Sequence, residues 1–164
     1  MKKFVKYSLY GLIYLILVFI LAIIFLNSAK AELVKPNNGI EPYQVVIIQL
    51  RGLKNNDEPK KDSGNEQTWE FAHPFNKKYT GPLPKFIKMI KSESYKMLIN
   101  HLDNEVIEIY KSDDKYSFEV KILGQDKDYY KFQWVVEKYY EEGPLKNCWL
   151  TTSVSTPVSL GSSI

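Results

Sequence analysis

An uncharged, mostly apolar block near the N-terminus constrains this chain more than any other feature of its sequence. The block covers 20 residues, from Tyr7 to Leu26. A helix of that length rises about 30 Å, which matches the hydrocarbon thickness of a bilayer. A helix that is apolar on every side needs a lipid or protein environment all round it. The sequence therefore predicts a membrane anchor, with one transmembrane helix over residues 7–26.

The residues on either side of this block indicate its orientation in the membrane and whether it is cleaved. Lys2, Lys3 and Lys6 precede it, so the positive-inside rule predicts a cytoplasmic N-terminus and a domain on the far side of the membrane. The segment Ala29-Lys30-Ala31 resembles a signal-peptidase site. Cleavage there would release a secreted or periplasmic protein, which stays the alternative. We favour a retained anchor because the apolar core of a signal peptide usually has about 7–15 residues.

The charges divide unevenly between the leader and the rest of the chain. Four of the 22 basic residues precede residue 32 and all 19 acidic residues follow Ala31, so residues 32–164 hold 18 against 19, a net charge of −1. Such a domain lacks the basic footprint that nucleic-acid binding requires, and nucleic acid is not an expected partner. We find no sequence motif for a nucleotide, a metal or another cofactor, and none is predicted.

The remaining sequence predicts an α+β domain. Residues 32–41 are rich in turn formers and predict a linker, residues 42–156 the domain, and residues 157–164 a flexible tail. Apolar residues at helical spacing predict three helices, which begin near Pro42, Ser63 and Phe86. Beyond Asn104 the period changes to two, and four antiparallel strands are predicted. We expect the helices to pack on one face of a curved, cone-like sheet.

An ordered succession of short motifs extends over residues 42–152. The motifs are Gln49-Leu50, Leu53, Asn56-Asp57, Asp62-Ser63-Gly64, Trp69-Glu70-Phe71-Ala72-His73-Pro74, Asn76, Thr80-Gly81-Pro82, Phe86, Met89, Ser94-Tyr95, Leu98-Ile99-Asn100, Glu142-Gly143-Pro144-Leu145 and Cys148-Trp149. The succession resembles an uncharacterised domain family of cyanobacteria, other microbes and plant plastids. Members of that family look like the nuclear transport factor 2-like superfamily, the α+β cone shared with ketosteroid isomerase and scytalone dehydratase. The resemblance implies a fold, and it implies no particular activity.

A cone of this kind would enclose a pocket between the sheet and the helices. The aromatic residues predicted to line it are Trp69, Phe86, Tyr95, Tyr116, Phe118, Tyr130, Phe132 and Trp134. The inward positions of the two best strands carry no Asp or Glu, although isomerase chemistry needs a carboxylate base there. Asp57, Glu70 and His73 are the polar candidates. We expect each of them to have a structural role, at a helix end or in solvent.

Two functions of different classes follow from this sequence. The first is a membrane-tethered binding or scaffolding module, with a protein partner or a small apolar ligand. The alternative is a lyase or isomerase that acts on a small molecule in the apolar pocket. An open chamber with a buried carboxylate would favour the enzyme, whereas a filled core or an exposed apolar patch would favour the binding module.

Overall fold

The computed structural model describes residues 14–20 and 32–162, and the chain divides into two compact units, Met1–Glu32 and Leu33–Ile164. In the first unit, helix α1 is described over residues 14–20, and its apolar side chains are 46–69% exposed. Among the described residues, no helix combines the length and the apolar character needed to cross a membrane. Most of the span predicted over residues 7–26, and the predicted cleavage site, lie outside the described residues.

The second unit begins with four α-helices. Helix α2 covers Pro42–Lys54, α3 covers Ser63–Glu70, α4 covers Pro74–Thr80 and α5 covers Leu83–Ile90, and a 3₁₀ turn follows at Lys96–Leu98. Helices α2, α3 and α5 are the three that the sequence predicts. Helix α4 is an addition, because Pro74 occupies its first turn instead of only ending the preceding helix. Proline suits that position, since its missing N–H would have no intrahelical partner there.

Within residues 32–162, five antiparallel strands form one sheet after the helices. They are β1 (Asp103–Lys111), β2 (Lys115–Leu123), β3 (Asp128–Lys138), β4 (Trp149–Val154) and β5 (Val158–Ser162). The order is β1-β2-β3-β4, and β5 also pairs with β3. The α+β class and the antiparallel sheet are thus as predicted. Strand β5 differs from the predicted flexible tail, because Ser162 and Gly161 pair with Asp128 and Tyr129 of β3.

The alternating residues of β2 and β3 point to the core in the predicted phase. Phe118 lies opposite Trp134, and Val120 lies opposite Phe132. All four side chains are at most 1% exposed. Because side chains alternate between the two faces of a strand, this phase places the polar residues between them on the outer face. There, for example, Lys131 forms an ion pair with Glu119 at 3.2 Å.

Helix α2 joins the helical layer to the sheet. Its residues Val45, Val46, Leu50 and Leu53 are buried in one cluster with the inward side chains of β2 and β3. Tyr43, which the helical spacing places on the same apolar stripe, is instead 50% exposed. It touches Phe118 edge-on at 6.2 Å between the ring centroids, so it lies at the border of the core.

The segment before α2 packs against α3 and the core. The backbone N–H of Val34 donates to the side-chain oxygen of Gln67 at 2.8 Å, and the Gln67 amide donates back to the Val34 carbonyl at 2.9 Å. Lys35 pairs with Glu70 at 2.9 Å, and Ile40 packs against the core. Much of the predicted linker therefore belongs to the second unit, because backbone and side-chain contacts hold it against α3.

Candidate functional site

A pocket of about 100 Å³ lies between the helices and strands β3 and β4. Each of the helices α2 to α5 contributes to it, which places the pocket where the helical layer meets the sheet. Its lining residues are Gln49, Leu53, Thr68, Ala72, Asn76, Thr80, Phe86, Met89, Ile90, Tyr95, Leu98, Trp134, Thr151 and Val154. The lining contains no Asp, Glu, Lys, Arg or His. Its walls are mostly apolar side chains, and its polar groups are amides, hydroxyls and the Trp134 indole N–H.

The polar part of the lining is a hydrogen-bond network centred on Gln49. Its Oε1 accepts from the Trp134 indole N–H at 3.0 Å and from the Thr151 hydroxyl at 2.6 Å. Its Nε2 donates to the backbone carbonyl of Thr68 at 3.0 Å. The Gln49 side chain thus links α2 to α3, β3 and β4. Gln49, Trp134 and Thr151 are at most 2% exposed, and buried polar groups with partners of this kind hold a single geometry.

Three of the eight predicted aromatic residues line this pocket. They are Phe86 from α5, Tyr95 from the segment after it and Trp134 from β3. Phe118 and Phe132 face the same interior but are almost completely buried in the surrounding core. They fill space beneath the helices and do not border the pocket, because neighbouring apolar side chains cover them.

The other three aromatic residues are half-buried and are not among the residues that line this pocket. Trp69 packs against Phe86 at 5.0 Å between ring centroids, and Tyr116 packs edge-on against Trp149 at 5.2 Å. The hydroxyl of Tyr130 donates to the Asp126 carboxylate at 2.6 Å. That hydrogen bond raises the pKa of Tyr130 to about 12. The Tyr130 hydroxyl therefore stabilises the turn between β2 and β3.

The two predicted carboxylates, Asp57 and Glu70, contact neighbouring loops. Asp57 is exposed, and its Oδ1 accepts from the Asp62 backbone N–H at 2.9 Å and from the Asn56 amide at 2.8 Å. It therefore closes the turn that leads into α3. Glu70 ends α3 and pairs with Lys35. Neither side chain is among those that line the pocket, so neither is placed to act as a base on a molecule bound there.

His73 caps the start of α4. Its Nδ1 accepts from the backbone N–H of Phe75 at 3.0 Å, which satisfies one of the free donors at the helix start. The ring also packs edge-on against Tyr139 at 5.3 Å. Partial burial lowers the pKa of His73, although Glu137 and Glu141 act in the opposite direction. The neutral ring is the form that can accept the Phe75 N–H.

Gln49, Thr68 and Thr151 are pocket residues that the aromatic pattern does not predict. One sequence signal does point to Gln49: it is a polar residue inside the otherwise apolar stripe of α2, three positions after Val46 and four before Leu53. A polar residue at such a position has to find buried partners. The partners themselves come from segments 19 and 102 residues away along the chain, and no local pattern specifies them.

Two further observations concern metal ligation and similarity to known proteins. Within residues 14–20 and 32–162, no group of three His, Cys, Asp or Glu side chains is placed to hold a metal ion. Comparison with protein-family models, with curated proteins and with solved structures finds no match.

Proposed function

We propose that this protein is a membrane-tethered binding module whose second unit holds a small, mostly apolar molecule in the Gln49 pocket. The observation that carries the proposal is the pocket itself, an apolar chamber with one ordered cluster of uncharged polar groups. Pockets that bind small ligands have this composition, with apolar walls and a few placed hydrogen-bonding groups that orient the ligand.

The pocket volume and the Gln49 amide limit the chemistry of the ligand. A cavity of about 150 Å³ accepts benzene, so a pocket of about 100 Å³ suits a five-membered ring or a short chain. The Gln49 Nε2 has two hydrogens, and within the described residues the partner of one of them is the Thr68 carbonyl. The second hydrogen is available to an acceptor, so we propose a ligand with one carbonyl or ether oxygen.

The uncharged lining supports binding over the alternative, a lyase or isomerase. An acid or base has to reach the reacting atom within hydrogen-bond distance. The lining has no carboxylate or imidazole among the described residues, and Asp57, Glu70 and His73 are engaged elsewhere by Asp62, Lys35 and Phe75. We therefore propose a pocket that selects and holds a molecule.

Two further parts of the proposal concern the N-terminal block and the shape of the sheet. The uncharged block over residues 7–26, preceded by Lys2, Lys3 and Lys6, supports the tether and a domain on the far side of the membrane. A cone of the nuclear transport factor 2-like kind is supported by the helices packed on one sheet face. It is also supported by register shifts near Ile109, Val135 and Tyr129, because bulges bend the strands that contain them.

The binding proposal is tested by recording the indole N–H resonances of the full-length protein during titration with cyclopentanone. We expect the Trp134 resonance to move, because its N–H shares Gln49 Oε1 with the pocket network, while that of Trp149, which packs against Tyr116, stays in place. Cyclopentane, which lacks the acceptor oxygen, should bind more weakly.

A matched pair of variants controls this experiment. Val154 lines the pocket, so Val154→Phe should fill it and abolish the shift. Val158 is 54% exposed on β5, so Val158→Phe should leave the shift unchanged. An unmoved Trp134 resonance in the parent protein, or an equal shift in Val154→Phe, would contradict a ligand-binding pocket.

A further inference from the structure

A segment of concentrated positive charge forms α4, α5 and the turns that flank them. Residues 74–92 contain five lysines and no acidic residue. The five are Lys77, Lys78, Lys85, Lys88 and Lys91. Residues 32–164 as a whole are close to neutral, so the charge in this segment is a local excess. Such an excess produces a field that attracts anions to one part of the surface.

Three of these lysines are exposed and form no ion pair with the described residues. Lys91 forms an ion pair with Asp62 at 2.6 Å, and the Lys77 ammonium lies over the Trp69 ring at 5.3 Å. Lys78, Lys85 and Lys88 are exposed, and no ion pair within the described part of the chain includes them. Their charges are therefore available to an external anion.

An exposed aromatic pair lies beside these charges on α4. Phe75 and Tyr79 are 55% and 72% exposed, and their ring centroids are 4.8 Å apart. With Lys78 between them in the sequence, they have the spacing of one helix face. Asn76 and Thr80 belong to the other side of α4 and line the pocket. The exposed rings are thus not used in the packing of the domain.

Lys85 connects the two helices into one surface. A Cβ atom added at Gly81 would lie 2.5 Å from the Lys85 Cδ, so the Lys85 stem lies across the glycine that follows α4. This contact brings the first turn of α5 next to the end of α4, where Tyr79 lies. We call the five residues Phe75, Lys78, Tyr79, Lys85 and Lys88 the α4–α5 surface.

We propose that the α4–α5 surface binds the anionic headgroups of a lipid bilayer. Lysine side chains bury their alkyl stems and keep the ammonium at the level of the phosphates. Aromatic rings favour the boundary between headgroups and acyl chains. Nucleic acid fits less well, because a duplex or strand requires a basic footprint that extends further than three side chains. The proposal depends on neither the pocket ligand nor the fate of the leader.

The test is acetylation of lysines in the full-length protein, followed by mass spectrometry. The protein is reconstituted into vesicles of phosphatidylcholine alone or of phosphatidylcholine with phosphatidylglycerol. We expect the acetylation rates of Lys78, Lys85 and Lys88 to fall severalfold only in the vesicles that contain phosphatidylglycerol. Lys111, which is exposed on β1, provides the internal control and should react equally in both. Added salt should restore the rates, since it screens the attraction.

Paired double variants test whether the protection depends on the α4–α5 surface or on the total charge of the protein. Each lysine near an anionic membrane favours the bound state by about fivefold. Lys78→Gln with Lys88→Gln should therefore lower the bound-to-free ratio roughly 25-fold and leave Lys85 reactive. Lys61→Gln with Lys111→Gln removes the same charge from exposed positions elsewhere and should leave Lys85 protected. Phe75→Ser with Tyr79→Ser should weaken the protection without any change of charge.

Three results would overturn the proposal. The first is equal reactivity of Lys78, Lys85 and Lys88 in both kinds of vesicle. The second is protection that persists in the Lys78→Gln and Lys88→Gln variant. The third is stronger protection by oligothymidylate or by an acidic peptide in solution than by the anionic vesicles, which would assign the surface to a different class of partner.

Discussion

Gln49 connects four elements of the second unit through a single amide. Its bonds reach Thr68 on α3, Trp134 on β3 and Thr151 on β4. Shortening or replacing this side chain would leave the Trp134 indole N–H buried without its principal acceptor. A buried polar group without a partner costs about 1–3 kcal/mol. The residue that gives the pocket its polarity is therefore also one that fixes how the helices lie on the sheet.

His101 provides a pH-dependent contribution to stability. It is 2% exposed, its Nδ1 bonds to the Leu98 carbonyl at 2.8 Å and its Nε2 bonds to the Asn104 amide at 3.0 Å. The neutral ring satisfies both, as donor at Nδ1 and acceptor at Nε2. Burial lowers the pKa of His101 below its ordinary 6.5; nearby Lys54 acts in the same direction, and the Leu98 carbonyl and Asp103 oppose it.

The sign of this contribution follows from the lowered pKa. The unfolded chain takes up a proton as the pH falls through 6.5, whereas the folded protein does so only at a lower pH. We therefore expect the free energy of unfolding to decrease as the pH falls from about 7 to about 5. Urea unfolding across this range measures it. His101→Gln cannot titrate and should show a shallower decrease, and equal slopes in both proteins would contradict the prediction.

The individual residues of the pocket differ in how far the sequence specifies them. Trp134 and Phe132 lie in a strand whose period-two pattern fixes their inward direction, so their burial could be predicted. The pattern could not predict which of the two side chains borders the pocket, because the pocket's position depends on where α5 and the 3₁₀ turn lie over the sheet. His101 lies within the polar stretch Asn100–Asn104, and this pattern gives no sign of its burial. Its burial results from packing between the 3₁₀ turn and β1.

At the scale of elements, hydrophobic periodicity predicts β2, β3 and α2 correctly and misses the short elements α4 and β5. Helix α4 has seven residues and no buried side chain, so it has no apolar stripe to detect. Strand β5 is exposed along its whole length, and its place in the sheet comes from backbone pairing with β3. Elements that are stabilised mainly by backbone hydrogen bonds and helix caps do not require a periodic hydrophobic pattern, so the sequence does not predict them.

Helices α2 and α3 approach so closely that a glycine is required between them. A Cβ atom at Gly64 would lie 1.9 Å from the Gly52 carbonyl oxygen, a contact that no rotation of a side chain can relieve. We expect Gly64→Ala to lower the free energy of unfolding by about 1–3 kcal/mol, because the helices must separate. Urea unfolding measures the loss.

Gly39→Ala serves as the matched control for this change. The nearest atom to its added Cβ would be a side-chain oxygen of Asn37 at 3.3 Å, which can move. That variant should lose less than about 0.5 kcal/mol, as is usual for a surface substitution. A smaller loss at Gly64 than at Gly39 would mean that the helices separate without penalty.

At the scale of the whole molecule, the two units differ in the distribution of their apolar residues. Among the described residues, the buried core cluster extends from Val45 to Trp149, and its members belong to the second unit. For the N-terminal block we expect a membrane environment, because its 20 uncharged residues from Tyr7 to Leu26 contain too little polarity to fold against water. Length and composition favour this division, whereas the chemistry of the proposed ligand depends on contacts between residues far apart in the sequence, such as Gln49 and Thr151.

The membrane anchor is the prediction on which the location of the protein depends. If residues 7–26 span the bilayer, the full-length protein should remain in the membrane pellet after a carbonate wash, because burying 20 uncharged residues in lipid outweighs the loss of peripheral contacts. Ile16→Lys with Ile20→Lys places two charges in the hydrocarbon at a cost of about 2.5–3.5 kcal/mol each, and should release the protein. Val34→Lys adds a charge beyond the span and should not. A soluble form that begins at Glu32 in the parent protein would show cleavage after Ala31 and contradict the anchor.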